Sequence, residues 1–169
     1  FDLKAVYAAP FLNNRSTSPQ NGMERSYDEI VKILGLFGKN PGGHAFRGST
    51  DYIQDIKNPE KSPAALDLVE RAMKAPEDKP IYVCAVGAIT NIANAILIEP
   101  EIIKHIVVVW LGGHAHHWPH TSEFNLRQDK KAANVIFDSG VPLVQLPCAG
   151  VVDHLLTTRS EIDFYVKGW

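Results

Sequence analysis

The chain has 169 residues, 45% hydrophobic and 21% charged, the make-up of an ordinary folded unit that can bury roughly 70% of its extended surface. A formal charge of −2 and a pI near 6.4 give no basic footprint for nucleic acid, and no apolar run approaches the ~20 residues of a membrane helix. Cys84 and Cys148 are too few for a disulfide scaffold and lie in apolar, strand-like contexts, so buried free thiols in a reducing, cytoplasmic compartment are expected.

Short apolar runs alternate with longer amphipathic ones, the pattern of a layered α/β sheet. The first strand is expected over Leu3–Ala9, followed by a polar loop over Asn13–Gly22. Ser26-Tyr27-Asp28-Glu29 reads as a capping box. It opens a helix with Tyr27, Ile30, Leu34 and Phe37 on one face, closed by Gly38. A second loop spans Asn40–Gly43, and a short strand near His44–Arg47 fits the pattern. Ser62-Pro63 supplies an N-cap and a proline at the first helical position, ahead of a buried stripe of Leu66, Val69, Ala72 and Met73.

Strands are expected next at Ile81–Val86 and Ile106–Leu111, separated by a helix from Thr90 to about Ile98 that stops near Pro100. Asp129 caps a helix over Lys130–Asp138, with Ala133, Ile136 and Phe137 inward and Gly140 after its end. Pro142–Leu146 is the last strand, and a helix after Ser160 carries Ile162, Tyr165 and Val166. The strands are nearly continuous in Val, Ile and Leu, as parallel strands covered on both faces would be. There is no internal repeat and no domain boundary, so residues 1–169 read as one domain or part of one. The chain opens on Phe1 without a methionine, and a processed product or a fragment is consistent with that.

In open α/β sheets ligands bind beyond the carboxyl ends of the strands, so three such ends matter. After Ile81–Val86 comes Gly87-Ala88-Ile89-Thr90-Asn91-Ile92-Ala93, where Thr90 and Asn91 stand at a helix start that either can cap. After Ile106–Leu111 comes Gly112-Gly113 and then His114, His116, His117 and His120, followed by Thr121-Ser122-Glu123-Phe124-Asn125. Clustered imidazoles can hold zinc, or they can line a surface or a substrate. In an extended segment Glu123 and Asn125 would point one way, with Phe124 in the core, and a carboxylate beside an amide suits vicinal hydroxyls. The alternative is a capping cluster ahead of Asp129. After the first strand comes Ala9-Pro10-Phe11-Leu12-Asn13-Asn14-Arg15. Phosphate loops, nucleophile elbows, His-Glu-x-x-His and dinucleotide fingerprints are all missing, and neither cysteine has a histidine neighbour or CxxC partner.

In order and spacing, these segments resemble the inosine–uridine-preferring nucleoside hydrolase family. The likeness rests on Val86-Gly87-Ala88-Ile89-Thr90-Asn91-Ile92-Ala93, on Ile106–Trp110 with Leu111-Gly112-Gly113, on Ser122-Glu123-Phe124-Asn125, and on Asp129-Lys130-Lys131-Ala132-Ala133 before Ser139-Gly140-Val141-Pro142. The resemblance implies a three-layer, mostly parallel Rossmann-like α/β sheet, truncated at both ends. It also implies hydrolysis of the N-glycosidic bond of ribonucleosides by water activated on Ca²⁺, through an oxocarbenium-like transition state. Thr90 matches a threonine whose main-chain carbonyl ligates calcium, while Glu123 and Asn125 match residues that hold ribose hydroxyls. Asp129 matches an acidic position that reads as a helix cap.

The family's aspartate cluster, which supplies the base and most metal ligands, would lie before Phe1, and a further ligand would lie beyond Trp169. No catalytic base is therefore assigned in this chain. Where the family carries a Gly-Asn pair, this sequence has the His114–His120 stretch, and Phe11 stands where many members have an asparagine. Asn13 and His117 are the replacement contacts expected with substrate. The implied partner is a nucleoside or another sugar-containing small molecule, in a homodimer or homotetramer. An altered or inactive relative that only binds a sugar-containing ligand is the alternative.

Overall fold

The structure is a computed structural model and describes residues 2–168. In chain order the elements are β1 (Val6–Tyr7), α1 (Pro19–Leu36), β2 (Ala45–Phe46), α2 (Pro63–Lys74), β3 (Ile81–Ala85) and α3 (Thr90–Ile98). A 3-10 turn at Pro100–Lys104 precedes β4 (Ile106–Leu111), α4 (Phe124–Gln128), α5 (Lys130–Asp138), β5 (Leu143–Leu146) and α6 (Arg159–Tyr165). Every strand pair is parallel. β1 pairs with β2, and β3, β4 and β5 form a second sheet in that order, with Val83 opposite Val108 and Val109 opposite Val144. This is the α/β architecture the sequence predicts.

One core unites Leu68 and Ala72 of α2, Ile92 and Ile96 of α3, Ala133 and Ile136 of α5, and Val83, Ile106, Val108 and Trp110 of the sheet. Met23 and Leu34 of α1 are buried outside that cluster. The reason is topological. Steps from β3 to β4 to β5 all run in one direction, so right-handed connections place each helix on the same face. Among the described residues no helix covers the opposite face of β3–β5, and Tyr82, Cys84, Val86 and Val144 are exposed there. The expectation of cover on both faces is thus corrected: these strands are covered on one. So is the expected burial of the thiols, since Cys84 is exposed and Cys148 only half-buried.

Two helices differ from their predicted form. α1 starts at Pro19 rather than beside Ser26, because Ser18 accepts the Asn21 N–H and Pro19 fits the first helical position. Ser26 is inside the helix with its hydroxyl donating to the Ala9 carbonyl, and Phe37 is exposed at the C-cap. In α2 the buried side chains are Ala64, Ala65, Leu68 and Ala72, while Leu66 and Met73 face solvent. Small alanines let α2 sit close to its neighbours, and this outweighs the bulkier stripe.

The caps of α2 and α5 match their expected residues, with Ser62 accepting the Ala65 N–H and Asp129 the Ala132 N–H. α6 is framed by a reciprocal Thr158–Glu161 capping box, while Ile162 and Tyr165 remain exposed. Among the described residues no helix is long and apolar enough to cross a membrane.

Candidate functional site

The chain leaves β4 through a turn that only glycine allows. A Cβ on Gly112 would lie 2.4 Å from the Trp110 ring, and Gly113 has φ +75°. The Gly113 N–H then donates to Glu123 Oε2 at 2.9 Å. Glu123 is the N-cap of α4, taking the Asn125 N–H on Oε1 and the Leu126 N–H on Oε2, each at 2.9 Å. Asn125 returns the link by donating from Nδ2 to the Leu111 carbonyl at 2.8 Å. The stretch is therefore helical from Phe124 onward. The expectation of an extended Glu-Phe-Asn alternation with a buried ring is corrected: Phe124 is exposed and Asn125 buried. Glu123 and Asn125 nonetheless converge on the carboxyl end of β4, as read from the sequence.

Their remaining hydrogen-bonding capacity can be counted. A carboxylate has about four acceptor sites, and three N–H groups occupy Glu123, two of them on Oε2. One site is left on Oε1. Asn125 spends one of its two amide hydrogens on Leu111, so one N–H and its Oδ1 have no protein partner among the described residues. Glu123 is 4% and Asn125 9% exposed, and neither has a fully buried atom left without a partner, so the unspent capacity faces the small solvent-accessible patch the pair retains.

The neighbouring strand ends are tied to the same place. Asp129, at the start of α5, takes the Thr90 hydroxyl on Oδ2 at 2.8 Å, together with the Ile53 N–H at 2.9 Å. Thr90 is fully buried, in the first turn of α3, and its side chain caps nothing. Asn91 does not cap either: its amide donates to the Ala8 carbonyl beyond β1 and accepts the Ser49 N–H, both at 2.8 Å. The capping roles read for this pair are thus replaced by long-range ties. Gln128, at the end of α4, accepts the Leu12 N–H and the Tyr52 hydroxyl on one oxygen and donates to the Leu12 carbonyl. Trp110 Nε1 donates to the Gly87 carbonyl at 3.0 Å. The loops after β1, β3 and β4 are therefore joined by Asn91, Gln128, Trp110 and Asn125. Burial pushes the Tyr52 phenol above its usual pKa, with nearby Asp129 adding to the shift.

Of these, sequence reasoning missed Asn91 as a tie, Gln128 and Tyr52. Asn91 and Asn94 stand on an otherwise apolar helix, which is a usable signal of buried polar work; Gln128 offers none. Asn94 Oδ1 is a fully buried acceptor without a partner among the described residues, while its Nδ2 donates to Ser49 Oγ.

Neither of the two remaining expected contacts is hydrogen-bonded to Glu123 or Asn125 among the described residues. Asn13 is exposed in its own turn, with Oδ1 accepting the Arg15 N–H at 2.8 Å, which leaves its Nδ2 for a ligand. His117 is exposed, its ring 6.4 Å from that of Trp118. Among the described residues no three His, Cys, Asp or Glu side chains are gathered as a metal-ligand set. The zinc reading of the histidine stretch is corrected accordingly: His114 Nδ1 is instead engaged by the Ala149 N–H at 3.2 Å. Calcium takes six to eight oxygens, and here the carboxylate in contact with Thr90, that of Asp129, is committed to protein donors. The described residues do not by themselves make a calcium site.

The sequence pattern of the inosine-uridine preferring nucleoside hydrolases matches residues 11–167. The chain belongs to that family. It is 34% identical over 105 residues to the non-specific ribonucleoside hydrolase RihC of Escherichia fergusonii, covering 60% of this chain and 34% of that protein. It is 33% identical over 99 residues to the inosine-uridine preferring nucleoside hydrolase of Crithidia fasciculata, covering 57% of this chain and 31% of that one. Among solved structures, a purine-preferring ribonucleoside hydrolase from Gardnerella vaginalis superposes with a TM-score of 0.59 at 24% identity, over 73% of this chain and 48% of that one. The plant nucleoside hydrolase PpNRh1 gives 0.58 at 20% identity, over 73% and 47%. At these identities the structural likeness speaks to the nucleoside hydrolase fold. The chain spans about a third of the length of the curated relatives it matches and about half of the solved ones.

Proposed function

We propose that the complete protein hydrolyses the N-glycosidic bond of ribonucleosides, releasing ribose and a free base, and that Glu123 and Asn125 of this chain hold the ribose. The observation that carries this reading is the unspent capacity of the pair. These atoms are open to a ligand, so a ribose hydroxyl can donate to Glu123 Oε1 or accept from Asn125 Nδ2, each bond contributing about 0.5–1.5 kcal/mol over the water it replaces. Adjacent hydroxyls on a five-membered ring can meet an acid and an amide together. As the bond to the base breaks, positive charge grows on the ribose, and a fixed carboxylate beside it stabilises that charge more than the neutral ground state. Water completes the reaction at the anomeric carbon.

Asn13 and His117 enter the same proposal as contacts from the flanking loops. Ca²⁺ enters only for the complete protein. There the Thr90 main-chain carbonyl would hold it as one ligand, and the metal would supply an activated water. A homodimer or homotetramer in the cytoplasm is the accompanying expectation, testable by light scattering and fractionation.

The test is release of ribose and base from inosine and uridine by the complete protein. Hydrolysis is expected, with Asn125→Ala lowering kcat/KM by about 10- to 100-fold, the scale of one or two lost buried hydrogen bonds, and leaving the far-UV circular dichroism unchanged. A folded complete protein that cleaves neither nucleoside overturns the proposal.

A further inference from the structure

Helix α5 turns one face to the core and, among the described residues, has no helix over the other. Ala132, Ala133 and Ile136 are buried, while Lys130, Lys131, Asn134 and Asp138 are exposed. At about 100° of rotation per residue these four fall within one arc of about 100°, with Asn134 near its middle. Two hollows flank this ridge. One, of about 660 Å³, is lined by Ile96, Leu97, Ile103 and Val135, and the other, of about 450 Å³, lies beside Leu126 and Phe137. Phe137 is 46% exposed, and Ile56, on the wall of the larger hollow, 52%.

The charges on the ridge run against the helix that carries them. A helix start favours acids and a helix end favours bases. Behind its N-cap Asp129, α5 opens instead on Lys130 and Lys131 and finishes on Asp138, with no acid in its first turn and no base in its last. In α2 the opposite holds, with Arg71 and Lys74 in the last turn. Side chains pair along a helix three or four positions apart. Lys130 and Asp138 are separated by about 12 Å along the axis, too far to meet on one helix. Among the described residues neither is in an ion pair. Lys131 spends its ammonium on the Gln54 carbonyl at 2.6 Å. An order of charges that is unfavourable within one helix becomes favourable against an antiparallel copy of it.

We infer that the exposed ridge of α5 is a contact between two copies of this chain, related by a two-fold axis at Asn134, with Lys130 of each paired to the partner's Asp138. Lys130 precedes Asn134 by as many positions as Asp138 follows it, so one axis forms both pairs. The two Asn134 amides face each other at the axis. An amide holds donors and an acceptor and so matches itself, as an isologous contact requires. A second copy is the occupant the charges select: a wholly basic or wholly acidic partner would be repelled by one end of the ridge. At about 13.5 Å long, α5 alone is too short to bury the ~600 Å² per partner of a specific interface. The flanking hollows extend it, because side-chain ridges seat in such grooves, and Phe137 and Ile56 supply apolar area. This ridge is then the surface on which the expected homodimer forms, whether or not the protein cleaves nucleosides.

The test is sedimentation velocity of the complete protein across a dilution series, for the parent, Lys130→Glu and the double exchange Lys130→Glu/Asp138→Lys. Lys130→Glu turns both pairs into repulsions and is expected to weaken the dimer by about 10- to 100-fold. The same change places an acid in the first turn of α5, where it favours the helix, so the loss does not come from unfolding. The double exchange restores both pairs with their signs reversed, and the dissociation constant should return to within about threefold of the parent. If the parent is a tetramer, Lys130→Glu is expected to leave dimers. A parent that is monomeric at every concentration overturns both the expected dimer and its surface. A dimer weakened less than about threefold by Lys130→Glu, or a tetramer left intact by it, overturns this surface alone. So does a double exchange that associates no better than the single variant.

Discussion

The two faces of the β3–β4–β5 sheet are built from the same residue types and finished in opposite ways. Val83, Val108 and Trp110 lie under α2, α3 and α5, whereas Tyr82 and Cys84, their alternating neighbours on β3, face solvent. A run of Val and Ile therefore explains why a strand forms but not what lies over it. Cover follows from strand order, because three strands taken in one direction by right-handed connections put the helices that join them on one side. The covered side also receives the polar ties. Thr90, Asn91 and Asp129 are buried at the starts of α3 and α5, where each finds a protein partner because water cannot supply one.

The largest expected effect breaks that contrast at Asp129. Its carboxylate takes the Thr90 hydroxyl and the N–H groups of Ile53 and Ala132, so Asp129→Ala strands three buried donors at once. A loss of about 4 kcal/mol is expected, from about 1–3 kcal/mol for each unsatisfied group with partial relaxation. Asp138→Ala, exposed at the far end of the same helix, is expected to cost under ~0.5 kcal/mol. Urea denaturation of both variants checks the pair; equal losses would mean that α5 is held by its apolar face rather than by its cap.

Much of this was legible in the sequence, for identifiable reasons. β4 matches its expected range of Ile106–Leu111, and α5 its expected cap at Asp129, because an unbroken apolar run and a side-chain cap are both local signals. The convergence of Glu123 and Asn125 on the end of β4 was reached as well, though through the wrong conformation. Two or three polar residues around one phenylalanine fit a strand and a helical turn equally, and the Gly113 N–H that selects the turn lies ten residues away in sequence. Ser18-Pro19 was hidden in a polar stretch that reads as loop until the Asn21 N–H is seen on Ser18. The open sheet face could not be read at all, since burial of alternate positions depends on strand order and not on composition.

A smaller effect is expected on the other sheet, at Tyr7, and its sign follows from burial. Desolvation, helped by the hydrogen bond from the Tyr7 hydroxyl to Asp67 at 2.7 Å, raises the phenol well above its usual pKa of about 10. The folded state thus holds the proton more tightly than the unfolded chain. The stability this gives is complete below pH ~10 and is lost as pH rises from there toward the folded-state value. Tyr7→Phe removes one hydrogen bond to a carboxylate that Arg71 still pairs, so a loss of about 1 kcal/mol at neutral pH is expected. Between pH 9 and 11 the variant should lose less stability than the parent. Parallel slopes in a pH series of urea titrations would show that Tyr7 is not the group responsible.

The smallest effect is the one that sharpens the comparison of faces most. Cys84 alternates with Val83 on β3 and pairs across to Val109, yet its thiol is exposed while Val83 is 8% exposed. Cys84→Ser changes an exposed sulfur to a polar oxygen already in contact with water, so under ~0.5 kcal/mol is expected. Val83→Ala, one residue earlier, empties space beneath the helices and should cost about 2 kcal/mol. The thiol gives an independent readout, because reaction with a water-soluble disulfide reagent requires exposure and a thiolate, not unfolding. In chain 1–169 at pH 8, Cys84 should react at a rate unaffected by mild denaturant. A rate that rises with denaturant and tracks global unfolding would mean that something covers this face, and the asymmetry between the two sides of the sheet would then be one of sequence position rather than of packing.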